Sequence, residues 1–416
     1  MTEQTDASSF FDALETRDPE VRERDLFAGL PGLIAHAKAQ TDFFATHLKD
    51  VDPAQVTDRA ALAKLPVLRK SALKDVQALT PPFGGLVARD RPVGRIFQSP
   101  GPINEPQGIG ANYWRAARAL YAAGFRSGDL VHNSFSYHFT PGGWILDDGA
   151  RALGCLVFPA GIGQTEQQAQ AIAAMRPSGY CGTPSFLRIM LEKAQELGLD
   201  TSSLKKGLVS GEALPPSLRA LIRDLGVDVY QAYATADLGV IAYETPALEG
   251  MVIEEGVIVE IVRPGTGDPV EPGEVGEIVV TTFTPEYPLI RFATGDMTAL
   301  LPGISPCGRT NMRIKGWMGR ADQTTKIKGM FVHPEQVAEV VKRHPEIRRA
   351  RLVADSVDNV DQMLIRVEVE QAADGLGLAV QKTLQEVTKL KGTVELVAPG
   401  SLPNDGKVID DIRSYA

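Results

Sequence analysis

Cysteine is scarce in this 416-residue chain: Cys155, Cys181 and Cys307 are the full set, far apart and without a CxxC spacing. That excludes a disulfide framework and a cysteine-based zinc site, and it fits a reducing compartment. Long apolar runs are missing too, since none reaches the roughly 18 residues that a membrane helix needs. The opening stretch MTEQTDASSFFDALETRDPE has no basic start followed by an apolar core, so no secretory signal is read in it and the expected location is cytoplasmic. Positive charge is in short supply: 43 Lys and Arg against 52 Asp and Glu give a formal net charge of −9. Nucleic acid and anionic membrane are poor partners for such a surface, and small molecules are the expected ones. Neither an internal repeat nor a low-complexity tract is present.

A content of 44% hydrophobic and 23% charged residues is that of a globular chain, long enough for two or three domains. Residues 10 to 80 place apolar residues three and four apart and predict helices, although the charged first 25 residues read as a loosely held arm. Val93 to Phe97 predicts a strand, FQSPGPINEPQG a Gly/Pro-rich loop and YWRAARALYAAG a helix. Strand, loop and helix in that order are the layout of a phosphate-binding loop, yet this one carries Glu105 and no Lys. From there to about residue 240, short apolar runs alternate with helical stretches, which predicts an α/β fold with a largely parallel sheet. After residue 245 the texture becomes short alternating strands with Gly and Pro turns, an antiparallel sheet or distorted barrel. The last 95 or so residues predict a small α+β module, with a hairpin, a helix opened by Pro334, two strands and a helix.

Four stretches carry residues suited to chemistry. In YQAYATADLG, at the carboxyl end of a predicted strand, Tyr233 can stack a base and Asp237 can face a divalent cation, although this stretch by itself reads first as a plain turn with a capping Asp. In YPLIRFATGDMTAL, Asp296 follows Thr-Gly at a predicted turn, where a carboxylate can accept both hydroxyls of a ribose. GRADQTTKIKGMFVHPEQV sets Arg320 and Asp322 at a module junction, next to a hairpin with Lys326, Lys328 and Gly329. In the polar tail APGSLPNDGKVIDDIR, Lys407 reads as a surface residue unless something brings it to an anion.

In that order the four stretches resemble the phenylacetate–CoA ligase family of the adenylate-forming (AMP-forming acyl-CoA synthetase) superfamily. The resemblance runs from about residue 26 onward and includes HNSFSYHFTPGGWILDDGARALG, GTPSFL, SGEALP and SPCGRTNMRIKGWMGRAD. It implies an N-terminal adenylation domain at 1–320, built of mainly parallel sheets layered with helices plus a small barrel-like β part, and a small mobile α+β domain at 321–416. It also implies ATP, Mg2+ and coenzyme A as cofactors, a small carboxylic acid as substrate, and a homodimer. The reaction would form an acyl-adenylate and pass the acyl group to the thiol of coenzyme A. By the same resemblance Lys407 bridges carboxylate and phosphate, while Ser210, Gly211, Glu212, Tyr233, Asp296 and Arg320 hold the nucleotide and Asp237 the metal. Asp322 becomes the hinge, and Lys326, Lys328 and Gly329 the hairpin of the thiol step. Phe135, Tyr137, His138 and Phe139 form the acyl pocket, whose aromatic wall favours a flat or aromatic acid.

The match departs from the family at its phosphate loop. Aligned on Pro106, the chain offers Ser99, Pro100, Gly101, Pro102, Ile103, Asn104 and Glu105, so two hydroxyls, one Gly and the Lys are missing. Ser99, Gly101 and Asn104 remain as donors, whereas the two prolines have no N–H. Glu for Lys would oppose a triphosphate by roughly 4 kcal/mol at about 4 Å and an effective dielectric near 20, and by less if Glu105 faces solvent. A coenzyme A-dependent or adenylate-handling protein, or a nucleotide-binding homologue without catalysis, therefore stands as the alternative to a ligase.

Overall fold

The computed structural model describes residues 9–263, 267–321, 324–357, 360–371, 373–403 and 408–413. The chain divides into a larger unit, residues up to 214 with 218–317, and a smaller one, residues 215–217 with those from 318 onward. Among the described residues no helix is long and apolar enough to cross a membrane.

The larger unit is built on a nine-stranded sheet. Five of its strands, Asp228–Thr235, Lys206–Val209, Gly179–Gly182, Leu130–Asn133 and Leu156–Pro159, lie side by side in parallel. Helices Gly142–Ala152, Thr165–Met175, Pro184–Glu196 and Pro216–Asp224 connect them, as the alternating sequence predicts. Local chemistry sets these switches: Thr183 caps its helix by accepting from the Phe186 N–H, and Pro184 takes the first helical position, where no N–H is needed. Gly182 ends its strand where a Cβ would lie 2.0 Å from Tyr180 Oη and 2.2 Å from Ser134 Oγ, so no other residue fits. The remaining four strands are antiparallel to their neighbours.

A second, four-stranded sheet carries the order Leu68–Arg69, Phe292–Thr298, Gly276–Thr282, Val257–Val262. Every residue of Gly276–Thr282 is buried, and each valine hidden there contributes roughly 1.5–3 kcal/mol. In the smaller unit, strands Ile347–Val357 and Val360–Val369 form a long hairpin flanked by Thr393–Val397 and Ile409–Asp411, with helices Pro334–Arg343 and Leu376–Thr388 packed on its apolar face.

Two expectations are corrected here. Residues 93–108 form a two-stranded ribbon, Val93–Ser99 against Ile103–Gly108, and the helix begins only at Ala116. The prolines at 100 and 102 confine the chain to a tight turn, and Pro106 sits in a ribbon whose second strand has no further partner to supply. The N-terminal arm is likewise anchored from Ser9 onward. Glu15 is buried and accepts from Arg309 Nε at 2.6 Å and from Tyr243 Oη at 2.7 Å, while Arg22 Nε donates to buried Glu255 at 2.8 Å.

Candidate active site

The site forms where the two sheets of the larger unit present strand ends. Tyr233 lies near the end of its strand, with its ring almost fully buried and its hydroxyl donating to Asp296 Oδ2 at 2.8 Å. Trp317 Nε1 donates to the other carboxylate oxygen at 3.0 Å. Asp296 is thus held from both sides. It lies inside strand Phe292–Thr298 and not at a turn between strands, as its sequence suggests, because that strand bulges. Ala293 pairs with Val279 and Met297 with Glu277, so residues 294–296 stand opposite Ile278 alone. Gly295, at φ 77°, makes the bulge possible, and its N–H donates to Glu277 Oε1 at 3.2 Å.

Asp237 sits in the turn between strands Asp228–Thr235 and Gly239–Tyr243. Its side chain is fully buried, and Oδ2 accepts from Lys70 Nζ at 2.5 Å. Burial opposes charge on Lys70, yet the attraction of Asp237, with Glu105 and Asp296 adding to it, holds the ammonium's proton above the usual lysine range. Asp237 Oδ1 is buried without a hydrogen-bond partner. A divalent cation carried by a triphosphate fits that oxygen, since Mg2+ takes one or two carboxylates plus phosphates. A cage built by protein alone does not fit: among the described residues no three His, Cys, Asp or Glu side chains gather to hold a metal.

The ribbon contributes less than its position promises. Glu105 is fully buried and does not face solvent; it accepts from the Ser99 N–H at 3.1 Å and from the Ser99 hydroxyl. Burial, reinforced by the charge of Asp237, pushes its carboxyl up to about 8 against the hydrogen bonds from Ser99 and the charge of Lys70. At neutral pH Glu105 is therefore mainly protonated, and the repulsion expected of a glutamate in the lysine's place largely disappears. Asn104 is also engaged: its N–H donates to Gln77 Oε1 at 2.8 Å and its Nδ2 to Pro82 O at 2.9 Å. Gly101 is an exposed turn residue. The three residues thus do not assemble into an open cradle of N–H groups.

Ser210 and Gly211 follow strand Lys206–Val209. The Ser210 hydroxyl donates to Ala232 O at 2.8 Å, Glu212 accepts from the Ser185 hydroxyl at 2.5 Å, and Gln231 Nε2 reaches Glu212 O at 2.8 Å. These bonds tie the SGE segment to the strand that carries Tyr233. The expected aromatic wall divides. Tyr137 and His138 line a cavity of about 720 Å³ together with Trp144 and Asp147. The Tyr137 hydroxyl donates to Asp147 Oδ2 at 3.0 Å, and burial followed by that charge keeps it protonated well above the ordinary tyrosine range. Phe135 turns instead toward Gly211, its ring 3.5 Å from where a Cβ on that glycine would be, whereas Phe139 is 77% exposed.

In the smaller unit, strands Thr325–Ile327 and Met330–Val332 form the expected hairpin. Lys328 and Gly329 both have positive φ, as the tight two-residue turn requires. Arg413 grips the hairpin by donating to Lys326 O at 2.8 Å and Thr325 Oγ1 at 2.9 Å. Arg320 is partly buried. Asp322 and Lys407 lie outside the described residues. Lys70, Trp317 and Glu277 were not expected from the sequence; Lys70 follows strand Leu68–Arg69 and opens a short helical turn in a stretch that reads as helical throughout.

A layered α/β unit with a tyrosine–aspartate pair joined at a strand bulge, followed by a small α+β unit, defines an AMP-binding enzyme of the adenylate-forming class. Residues 149–284 match the AMP-binding enzyme family, and residues 329–411 match the AMP-binding enzyme C-terminal domain. The phenylacetate–coenzyme A ligase of Aromatoleum evansii is 33% identical over 342 residues, spanning 78% of this chain and 76% of its own. The enzyme of the same name from Thermus thermophilus is 31% identical, over 82% of this chain and 80% of its own. Among solved structures, 2-hydroxyisobutyryl-CoA ligase in complex with 2-HIB-AMP and CoA superposes with a TM-score of 0.79 at 25% identity, covering 97% of this chain and 92% of that one. The chain belongs to the phenylacetate–coenzyme A ligase family and is an AMP-forming acid–thiol ligase.

Proposed function

We propose that this ligase activates a small aromatic carboxylic acid with Mg·ATP and transfers it to coenzyme A. The acid's carboxylate attacks the α-phosphorus as the bond to pyrophosphate breaks; the thiol then attacks the acyl carbon, loses its proton, and AMP leaves. The observation that carries this reading is the convergence of Tyr233, Asp296 and Trp317 on one bulge, beside the Asp237–Lys70 pair. Asp296, already oriented by two donors, accepts the ribose hydroxyls, and Tyr233 packs by the base together with Ser210 to Glu212. Mg2+ would rest on Asp237 Oδ1 and neutralise phosphate charge there. Lys407 bridges the reacting groups, and Asp322 serves as hinge between a nucleotide-activating unit at 1–320 and a smaller one at 321–416, with Arg320 at their junction and the Lys326–Gly329 turn serving the thiol step. The aryl group lies by Phe135, Tyr137 and His138, whose rings suit a flat substrate.

A second reading draws on the paired donors of the ribbon: an enzyme that handles a ready-made adenylate and leaves ATP alone. The test is pyrophosphate release from Mg·ATP, driven by a panel of aryl and short alkyl acids, with and without coenzyme A. Aryl-acid-dependent pyrophosphate and matching AMP are expected, with a loss of about 100-fold or more in Asp296→Ala, which removes two charge-assisted hydrogen bonds. Thioester formed from an acyl-adenylate but never from ATP would sink the ligase reading in favour of the second.

A further inference from the structure

The cavity behind the aromatic wall holds a carboxylate. We propose that Asp147 selects the acyl group, so that the acid this chain takes carries a hydrogen-bond donor on its ring, an amine or a phenol, in preference to a plain hydrocarbon ring. The proposal rests on the acyl pocket placed under the proposed function.

Local causes bring the carboxylate there. Helix Gly142–Ala152 sets Trp144, Asp147 and Arg151 three and four residues apart, hence on one face, and all three line the cavity of about 720 Å³. Gly143 lets the helix come close to the loop before it, since a Cβ there would lie 2.7 Å from Ser136 O and 2.9 Å from Tyr137 Cδ2. Asn133 then orients the pair. Its Nδ2 donates to Tyr137 Oη at 2.8 Å, which leaves the Tyr137 hydrogen to go to Asp147 Oδ2 at 3.0 Å. Asp147 Oδ1 meets Arg151 at 4.0 Å, beyond hydrogen-bond distance, and the Arg151 side chain is 73% exposed, so water screens that pair.

The same wall reaches the nucleotide side. Arg95 of the ribbon lies over the Trp144 ring, 4.2 Å from its centre, and Phe135, two residues before Tyr137, packs by Gly211. An aryl group seated among Tyr137, His138 and Trp144 therefore lies against a carboxylate whose side chain is 13% exposed. A plain ring strips water from that carboxylate and returns no bond, whereas a ring N–H or O–H supplies a charge-assisted one. A site built on such a bond rejects the analogue lacking it far more strongly than an apolar pocket rejects one extra methyl. The competing view gives Asp147 the task of holding Tyr137 in place and nothing more.

Calorimetric titration of the full chain, with and without AMP, decides between them. The probes are the meta and para amino, hydroxy and methyl derivatives of phenylacetate and benzoate; wherever Mg·ATP yields pyrophosphate, kcat/KM gives the same ratios. The variants are Asp147→Asn, Asp147→Leu, and Asp147→Leu with Tyr137→Phe, which leaves no hydroxyl orphaned if the single change does not fold. The native chain should favour an amino or hydroxy acid over its methyl counterpart tenfold or more at one ring position. Asp147→Asn should keep part of that ratio, and the leucine variants should bring it to one or below. A methyl acid taken as well as the donor acids by the native chain would overturn the proposal, as would a ratio unchanged in a folded leucine variant. So would the loss of all acids together in the leucine variants, the mark of a structural role, or a native chain that neither binds nor turns over any of them. The two readings fail separately: pyrophosphate formed without preference among the acids leaves the ligase and removes the role of Asp147, whereas preferential binding without pyrophosphate does the reverse.

Discussion

Burial gives Glu105 a titration that can be seen in stability. Its carboxyl holds its proton up to about 8 in the folded chain, against 4.5 for the ordinary group, with Lys70, Asp237 and the Ser99 hydroxyl facing it. Between those values the folded state binds the extra proton, so stability falls as pH rises, by up to about 1.4 kcal/mol per pH unit. Glu105→Gln stays neutral and still accepts from Ser99. Its melting temperature should therefore fall less than the native one from pH 5 to pH 8 and exceed it at pH 8; parallel curves would show that Glu105 is ionised throughout. At this scale the sequence identified the acceptors and missed their partners. Tyr233 and Asp237 stand near the end of one strand and in the turn after it, which alternation of apolar residues reveals, whereas Asp296 sits on a bulge inside its strand. Lys70 is 167 residues from Asp237, and a side-chain bond across that separation leaves no local pattern.

Elements differ in how much of their placement is local. The alternating strands and helices of 130–235 follow from periodicity and caps, and there the expected and observed elements coincide. The ribbon does not, because Gly and Pro mark a turn without saying whether the flanks pair with each other or lead into a helix. The N-terminal arm was misread for a similar reason. Its charges look solvated in the sequence, yet Asp12, Glu15 and Arg22 find Arg118, Arg309, Tyr243 and Glu255 in distant segments. Glu15→Ala leaves Arg309 buried and without that carboxylate, a change expected to cost about 3–5 kcal/mol. Chemical denaturation should show the loss in the midpoint, and limited proteolysis should cut the arm first. Glu15→Ala within 0.5 kcal/mol of the native chain would mean that the arm contributes no stability.

On the scale of the whole molecule, each apolar cluster falls within one unit: four draw on residues 27 to 314, and one on residues 327 to 409. Cores that share no residue melt separately unless an interface couples them. Scanning calorimetry should resolve two transitions, and Leu384→Ala, in the smaller core, should lower one of them alone by removing about 2–5 kcal/mol. A single transition shifted as a whole would show the two cores to be one cooperative body. The ribbon bears on the same molecule in time. Flexible phosphate loops fold over their ligand, and that closure sets a ceiling on how fast a nucleotide is captured. Here the Ser99 hydroxyl and N–H are already committed to Glu105, and the Asn104 N–H and side-chain amide to Gln77 and Pro82, so these groups have no closure step to wait for. Nucleotide capture should then be limited by encounter alone, with stopped-flow rates that climb linearly with concentration and never level off.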